Sequence, residues 1–242
     1  MRITFAGASH GVPEPNRKCS CAAVETQGKI YFIDMGTSGM DYLVTRGIPP
    51  EKVKAVFVTH MHGDHTDGLV QFVDLASWYF GKCNPGIYLP DVRSEGVLKE
   101  LLKITGIDVR DGIKFSEVPG EGVIYDDGTL RVTAQRTLHC NGRSYAYLVE
   151  AEGKSVLFSG DLNDPDKDFP SMIKGRHIDL GIFEGAHNRM TKFLPHFAEC
   201  DIGQICVNHY APWNIPYILE VTEALKDKTK VFMANDGMEI IL

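Results

Sequence analysis

The sequence predicts a mixed α/β domain built on two β-sheets. Three observations carry that expectation. Strand-like runs arrive in hairpins in both halves of the chain, rather than alternating singly with helices. Helical periodicity falls between and after these runs. The composition is that of a folded globular chain, since 43% of the 242 residues are hydrophobic and 24% charged, which excludes a disordered or low-complexity protein.

Taken in order, Ile3–Ala6 opens as a strand into a glycine turn. Ala22–Thr26 and Lys29–Ile33 form a hairpin through the Gln27-Gly28 turn. Val53–Thr59 is a β-branched run of the kind buried inside a sheet. Leu69, Val70, Phe72, Val73, Ala76 and Tyr79 recur at helical spacing after Asp67, read as the N-cap, and Gly81 stops the helix. Ser94–Thr105 repeats the pattern with Gly106 as the C-terminal cap. Trp78, Tyr79 and Phe80, at the end of the first helix, read mainly as core. In the second half, Val123–Tyr125 and Leu130–Thr137 pair through Asp126-Asp127-Gly128, and Tyr145–Glu150 pairs with Ser155–Ser159 through Glu152-Gly153. Ile178–Phe183 and Ile205–Asn208 are short apolar strands, Ile215–Leu225 is a helix, and Val231–Met233 is a last strand.

Charge and targeting signals narrow the function. Lys+Arg 25 against Asp+Glu 32 leaves a formal charge of −7, which argues against a general polyanion binder. Any phosphate chemistry therefore needs local positive charge, such as a metal. No apolar run approaches the ~20 residues of a membrane span, and the N-terminus lacks a secretory h-region. The expectations are one domain over residues 1–242, a cytoplasmic location, and six cysteines kept as thiols. Cys19-x-Cys21 is too close for an ordinary Cys-x₂-Cys knuckle, and Cys140 reads as a packed thiol.

One segment dominates the chemistry. Thr59–Gly68 holds His60, His62, Asp64 and His65, where a buried strand ends and a helix has yet to begin. A backbone turning there fans several side chains into one space, and imidazole with carboxylate is the donor set for Zn²⁺, Mn²⁺ or Fe²⁺. With 9 histidines in 242 residues, chance gives such a cluster in the whole chain with probability on the order of 10⁻³.

His60-x-His62-x-Asp64-His65 after Phe57-Val58-Thr59 resembles the signature of the metallo-β-lactamase superfamily. The resemblance covers essentially the whole chain, because later motifs follow in order: Asp34 in Phe32-Ile33-Asp34-Met35-Gly36, His139, Asp161 in Phe158-Ser159-Gly160-Asp161, and His209 in Val207-Asn208-His209-Tyr210. It implies an αββα four-layer sandwich, two mixed β-sheets flanked by helices. It also implies two divalent transition-metal ions, zinc first and manganese or iron as alternatives. His60, His62 and His139 would hold one, Asp64, His65 and His209 the other, with Asp161 bridging. Asp64 would also orient the nucleophile, and Asp34 would accept a hydrogen bond from a ligand imidazole. Water between two cations loses a proton near neutral pH, which suits hydrolysis.

The opening Phe5–Pro13 with Asn16-Arg17-Lys18, and Asn208–Trp213, are similar to ribonuclease Z and related cyclic-nucleotide phosphodiesterases. In that branch Glu184 supports the site, and His196, in Pro195-His196-Phe197, would donate the leaving-group proton. The departure is Gly185-Ala186-His187 after Glu184, which makes His187 the alternative donor. Arg17, Arg143 and Arg189 are candidates to hold substrate phosphate or base. Full-length tRNA-processing members carry an arm between the third-motif His and the bridging Asp. Here 161 − 139 leaves only 22 residues, already filled by a predicted hairpin. The expectation is a phosphodiesterase on a cyclic nucleotide, a sugar phosphate or a short oligonucleotide, with a homodimer as one possible assembly. Thioester, lactone or β-lactam hydrolysis is the alternative, because the same metal centre attacks carbon. A ribonuclease Z-type endonuclease or a non-catalytic nucleic-acid binder ranks lower.

Overall fold

The computed structural model describes residues 1–242, the surroundings of residue 142 excepted. The chain lays down β1 (Arg2–Gly7), the hairpin β2 (Cys21–Thr26) and β3 (Lys29–Ile33), α1 (Gly39–Thr45) and β4 (Val53–Phe57). Next come α2 (Gly63–Thr66), α3 (Gly68–Trp78), β5 (Gly86–Leu89), α4 (Arg93–Ile104) and β6 (Lys114–Glu117). The second half holds β7 (Gly122–Asp126), β8 (Arg131–Thr137), the turn α5 (His139–Gly142), β9 (Ser144–Ala151) and β10 (Lys154–Phe158). It continues through α6 (Pro165–Asp168), β11 (His177–Gly185), α7 (Leu194–Glu199), β12 (Asp201–Tyr210), α8 (Ile215–Leu225), β13 (Lys230–Met233) and β14 (Glu239–Ile241).

Two seven-stranded sheets result, in the orders β14-β1-β2-β3-β4-β5-β6 and β13-β12-β11-β10-β9-β8-β7. Each is half antiparallel and half parallel. Antiparallel pairs build β14 to β3 and β7 to β10, whereas β3 to β6 and β10 to β13 run parallel. Alternation along the strands sends one set of side chains between the sheets and the other outward. Ile3, Phe5, Tyr31 and Phe57 meet Tyr145, Tyr147, Phe158 and Ile182 in the central layer. The outward residues of the first sheet bury against α1, α3 and α4 through Met40, Leu43, Phe72 and Leu102. Those of the second bury against α7 and α8 through Phe197, Ile218, Val221 and Leu225. Three cores separate four layers, so the αββα sandwich is the fold. No helix is long and apolar enough to cross a membrane among the described residues.

Two carboxylates tie the sheets together. Asp127, in the β7–β8 turn, accepts from Tyr31 Oη at 2.8 Å and Lys29 Nζ at 3.0 Å on β3. Glu152, in the β9–β10 turn, accepts from the Met1 amino group at 2.7 Å and Thr26 Oγ1 at 2.6 Å.

Three expectations change. Asp67 does not cap through its side chain; its own backbone is helical and joins α2 to α3, so the helical path begins a turn earlier, at Gly63. Trp78 and Tyr79 are 58% and 64% exposed rather than core, because they fall past the buried stripe of α3. The chain also adds β5, β6 and β14, which the hydrophobic pattern does not announce.

Candidate metal centre

The site forms at the C-terminal ends of strands from both sheets. β4 delivers the segment with His60, His62, Asp64 and His65, β8 delivers His139, β10 Asp161, β11 Glu184 and His187, and β12 His209. Asp161 Oδ2 is the hub. His209 Nε2 lies 3.4 Å from it, His60 Nε2 and His65 Nε2 3.5 Å, His187 Nδ1 3.6 Å and His139 Nε2 3.8 Å. Asp64 Oδ2 stands 3.4 Å from His65 Nε2 and 3.7 Å from His209 Nε2.

These atoms sort into overlapping groups: His60, His62 and His139; His60, His65 and Asp161; Asp64, His65 and His209; and His139, Asp161 and His187. In the first, His62 Nδ1 lies 3.0 Å from His60 Nε2 and 3.2 Å from His139 Nε2. Nitrogens bound about 2.0–2.1 Å from one tetrahedral ion stand roughly 3.3–3.4 Å apart, close to this spacing. His65 Nε2 and Asp161 Oδ1 are buried with no hydrogen-bond partner. Burying such groups unpaired is costly, and a cation shared by Asp64, His65, His209 and Asp161 would satisfy His65 Nε2. The donor set fits two divalent ions.

Protonation favours the same reading. Burial, reinforced by the charge of His65, lowers the His60 pKa to about 2, and burial lowers that of His139. Burial opposes ionisation of Asp161, but His209 and His65 outweigh it and hold the carboxyl well below its usual range. Asp64 is lowered too, as the hydrogen bond and charge of His65 overcome burial. His65 differs: burial would lower its pKa, but Asp161 and Asp34 outweigh it and raise the pKa well above the ordinary histidine value, so a cation bound there would displace its proton.

Supporting groups aim the imidazoles. Asp34, at positive φ of 58°, accepts from His65 Nδ1 at 2.8 Å and from the Thr59 N–H at 2.7 Å. Thr59 Oγ1 lies 3.1 Å from His60 Nδ1. His209, also at positive φ (47°), has Nδ1 3.1 Å from the Ser9 carbonyl, which turns Nε2 inward. Asp168 accepts from Leu138 N at 3.0 Å and Asn163 N at 2.9 Å, joining the loops of His139 and Asp161. Sequence reasoning missed Thr59, Ser9 and Asp168. Thr59 alone carried a signal, as a hydroxyl directly before the first histidine.

The remaining candidates separate. Glu184 Oε2 accepts from the N–H groups of Ala186 at 2.7 Å and His187 at 2.9 Å, and lies 3.6 Å from His187 Nδ1. That hydrogen-bonding partner raises the His187 pKa to about 9, against burial and with help from Asp161. The His187 ring sits 4.7 Å from His139 and stacks 5.8 Å from His209. His196 does not join the cluster: on α7 it stacks 4.8 Å from Phe169 and pairs with Asp166 at 3.1 Å. Arg17 is not free for substrate. Its guanidinium pairs with Glu14 at 2.6 Å, donates to the Tyr210 carbonyl at 3.1 Å and covers the Tyr210 ring at 3.9 Å. Arg143, 52% exposed, pairs with Asp91, and Arg189 lies over Tyr217 at 4.9 Å.

The chain is similar to known proteins in sequence and in fold. The family model described as "Anti-Pycsar protein Apyc1" matches residues 1–183. A ribonuclease Z of Limosilactobacillus fermentum is 33% identical over 153 residues, covering 62% of this chain and 49% of that protein. The chain thus spans about half the length of the curated relatives it matches. The short form of human tRNase Z (ELAC1) superposes with a TM-score of 0.76 at 18% identity, over 100% of this chain and 99% of that one. The metallo-β-lactamase fold protein YhfI from Bacillus subtilis gives 0.79 at 20% identity, over 99% and 98%. At those identities the structural likeness speaks for the fold alone. With the family match over residues 1–183, the chain belongs to the anti-Pycsar protein Apyc1 family.

Proposed function

We propose that this chain is a dinuclear metal-dependent phosphodiesterase acting on a small phosphodiester, a cyclic nucleotide or short oligonucleotide. One observation carries the reading: a histidine triad and a second group of two histidines and an aspartate, with different members, meet at a single carboxylate oxygen, Asp161 Oδ2, through His60, His139, His65 and His209. His60, His62 and His139 would hold one ion, Asp64, His65 and His209 the other, with Asp161 between them and zinc the first choice of metal. When bound, such ions lower the pKa of water and neutralise phosphate charge.

The chain's own residues supply the rest. Asp34 and the Ser9 carbonyl hold His65 and His209 in the tautomers that present Nε2. Asp64, beside the point where its group converges, orients the attacking water. His187 takes the proton-donor role otherwise expected of His196. Its Nδ1 faces Glu184 and Asp161, which leaves Nε2 on the other edge of a ring that is 37% exposed. Expelling a ribose alkoxide needs such a proton. The small-substrate preference is supported by the interval between His139 and Asp161, which β9 and β10 fill with a plain hairpin.

Metal analysis of protein purified without chelator, followed by a panel of bis-p-nitrophenyl phosphate, cyclic nucleotides, thioesters and lactones, tests the reading. Two ions per chain with turnover confined to the phosphodiesters supports it; turnover of the carbon esters alone replaces it with the acyl-hydrolase alternative. Cleavage of tRNA precursors is a second reading, carried by the name of the L. fermentum relative.

A further inference from the structure

Beside the proposed centre lies a ring that nothing in the metal chemistry uses. Trp213 is 67% exposed, on a short turn (Pro212–Asn214) that begins three residues after His209. The turn is held rigidly from both sides. Pro212 opens it, and buried Asn214 donates through Nδ2 to the carbonyls of Gly185 at 2.9 Å and Ala186 at 3.0 Å, on the loop that carries His187. His10 props the indole edge-to-face, with ring centroids 5.2 Å apart. His10 in turn lies between two residues that touch the site: the Ser9 carbonyl meets His209, and a Cβ on Gly11 would stand 3.4 Å from Asp64 Oδ2. The loop below is anchored by Arg17, wedged between Glu14 and Tyr210.

A large apolar ring kept in water on a preorganised turn is a surface for something flat. The other tryptophan differs: Trp78 stands on α3, donates to its own helix at Asp74 and leans on Tyr79. We infer that Trp213, braced by His10, is the platform on which the base of a nucleotide phosphodiester stacks, next to the Asp64, His65 and His209 group. This rests on the phosphodiesterase reading above and adds the part of the substrate the metals do not touch. Stacking on one face accepts any base, so the subsite selects for an aromatic heterocycle rather than for one sequence.

The metal-loaded protein carrying Trp78→Phe leaves Trp213 as the sole tryptophan, since the chain has 2. Titration with 3′,5′-cyclic AMP and cyclic UMP is expected to quench its emission saturably, whereas base-free cyclic ribose phosphate is not. In turnover, Trp213→Ala is expected to raise KM for the cyclic nucleotides on the order of 10-fold more than for the base-free substrate, with Trp213→Phe restoring most of the difference. Absent quenching, or equal KM changes on both substrates, overturns the platform while leaving the phosphodiesterase intact. If quenching occurs and no phosphodiester is turned over, the platform stands and the proposed activity falls.

Discussion

Single side chains at the centre have separable duties, and substitutions divide accordingly. His62 lies between His60 and His139, and its loss opens only their group. His62→Ala is therefore expected to lower metal content by about one ion per chain, read by elemental analysis, with the far-ultraviolet circular dichroism unchanged. His187 and His196 compete for one role. His187→Ala is expected to slow cleavage of a ribose phosphodiester about 10²-fold or more and a nitrophenyl ester far less, since nitrophenolate leaves without a proton. His196→Ala is expected to change neither rate, because its ring is engaged by Phe169 and Asp166; the reverse pattern would return the role to His196. At this scale the clustering of His60, His62, Asp64, His65, His139, Asp161 and His209 was legible because metal chemistry restricts both residue type and spacing. Arg17 was misjudged for the opposite reason. A basic residue in a loop reads alike in sequence whether it faces substrate or, as here, its own Glu14 and Tyr210.

Elements meet where backbones come close, and the glycine of the Asp34 motif is the clearest case. A Cβ on Gly36 would sit 1.7 Å from the Asp64 carbonyl oxygen and 2.4 Å from its carbon. Backbone atoms cannot step aside as a flexible side chain does. Gly36→Ala is expected to lower thermal stability by at least the ~1–3 kcal/mol typical of overpacking, and to weaken metal retention in a chelator competition by displacing Asp64. The turn at Asp127 gives a pH-dependent case. Burial opposes ionisation of Asp127, but the Leu130 N–H, Tyr31 and Lys29 outweigh it and depress the folded-state pKa. A depressed carboxylate stabilises fully above its unfolded pKa, near 3.9, and loses that contribution as pH falls through the folded value. Asp127→Asn is expected to cost about 1–2 kcal/mol in urea unfolding at pH 7, with the gap to the parent closing below pH 4. An unchanged gap at pH 3 would argue against the linkage. The strands carrying these ties were readable because hairpin turns and β-branched runs are local. β6 (Lys114–Glu117) and β14 (Glu239–Ile241) were not, since they are short sheet edges fixed by pairing with β5 and β1 rather than by their own pattern.

For the molecule as a whole, the layers decide what can reach the centre. β9 and β10 close the interval in which an arm for tRNA would emerge. In a defined 3′-processing assay, a full-length tRNA precursor is therefore expected to be cut far more slowly than a cyclic nucleotide is hydrolysed. Comparable rates would promote the second reading. The overall architecture was legible from hairpins in both halves; the close pairing of Trp213 with His10 was not, because those residues are 203 positions apart (213 − 10) and only the finished sandwich joins them.

The division of the centre between the two sheets has a consequence for how the protein comes into being. His60 and His209 are 149 residues apart (209 − 60), yet both face Asp161. Contacts so distant along the chain close late, after loop entropy has been overcome by the rest of the fold. A chain still emerging from the ribosome can present the His60–His65 segment before it has His139 to complete one group, or Asp161 and His209 to complete the other. Completing both groups thus requires that both sheets have docked. An ion bound across them would act as a rivet, fastening the two sheets together.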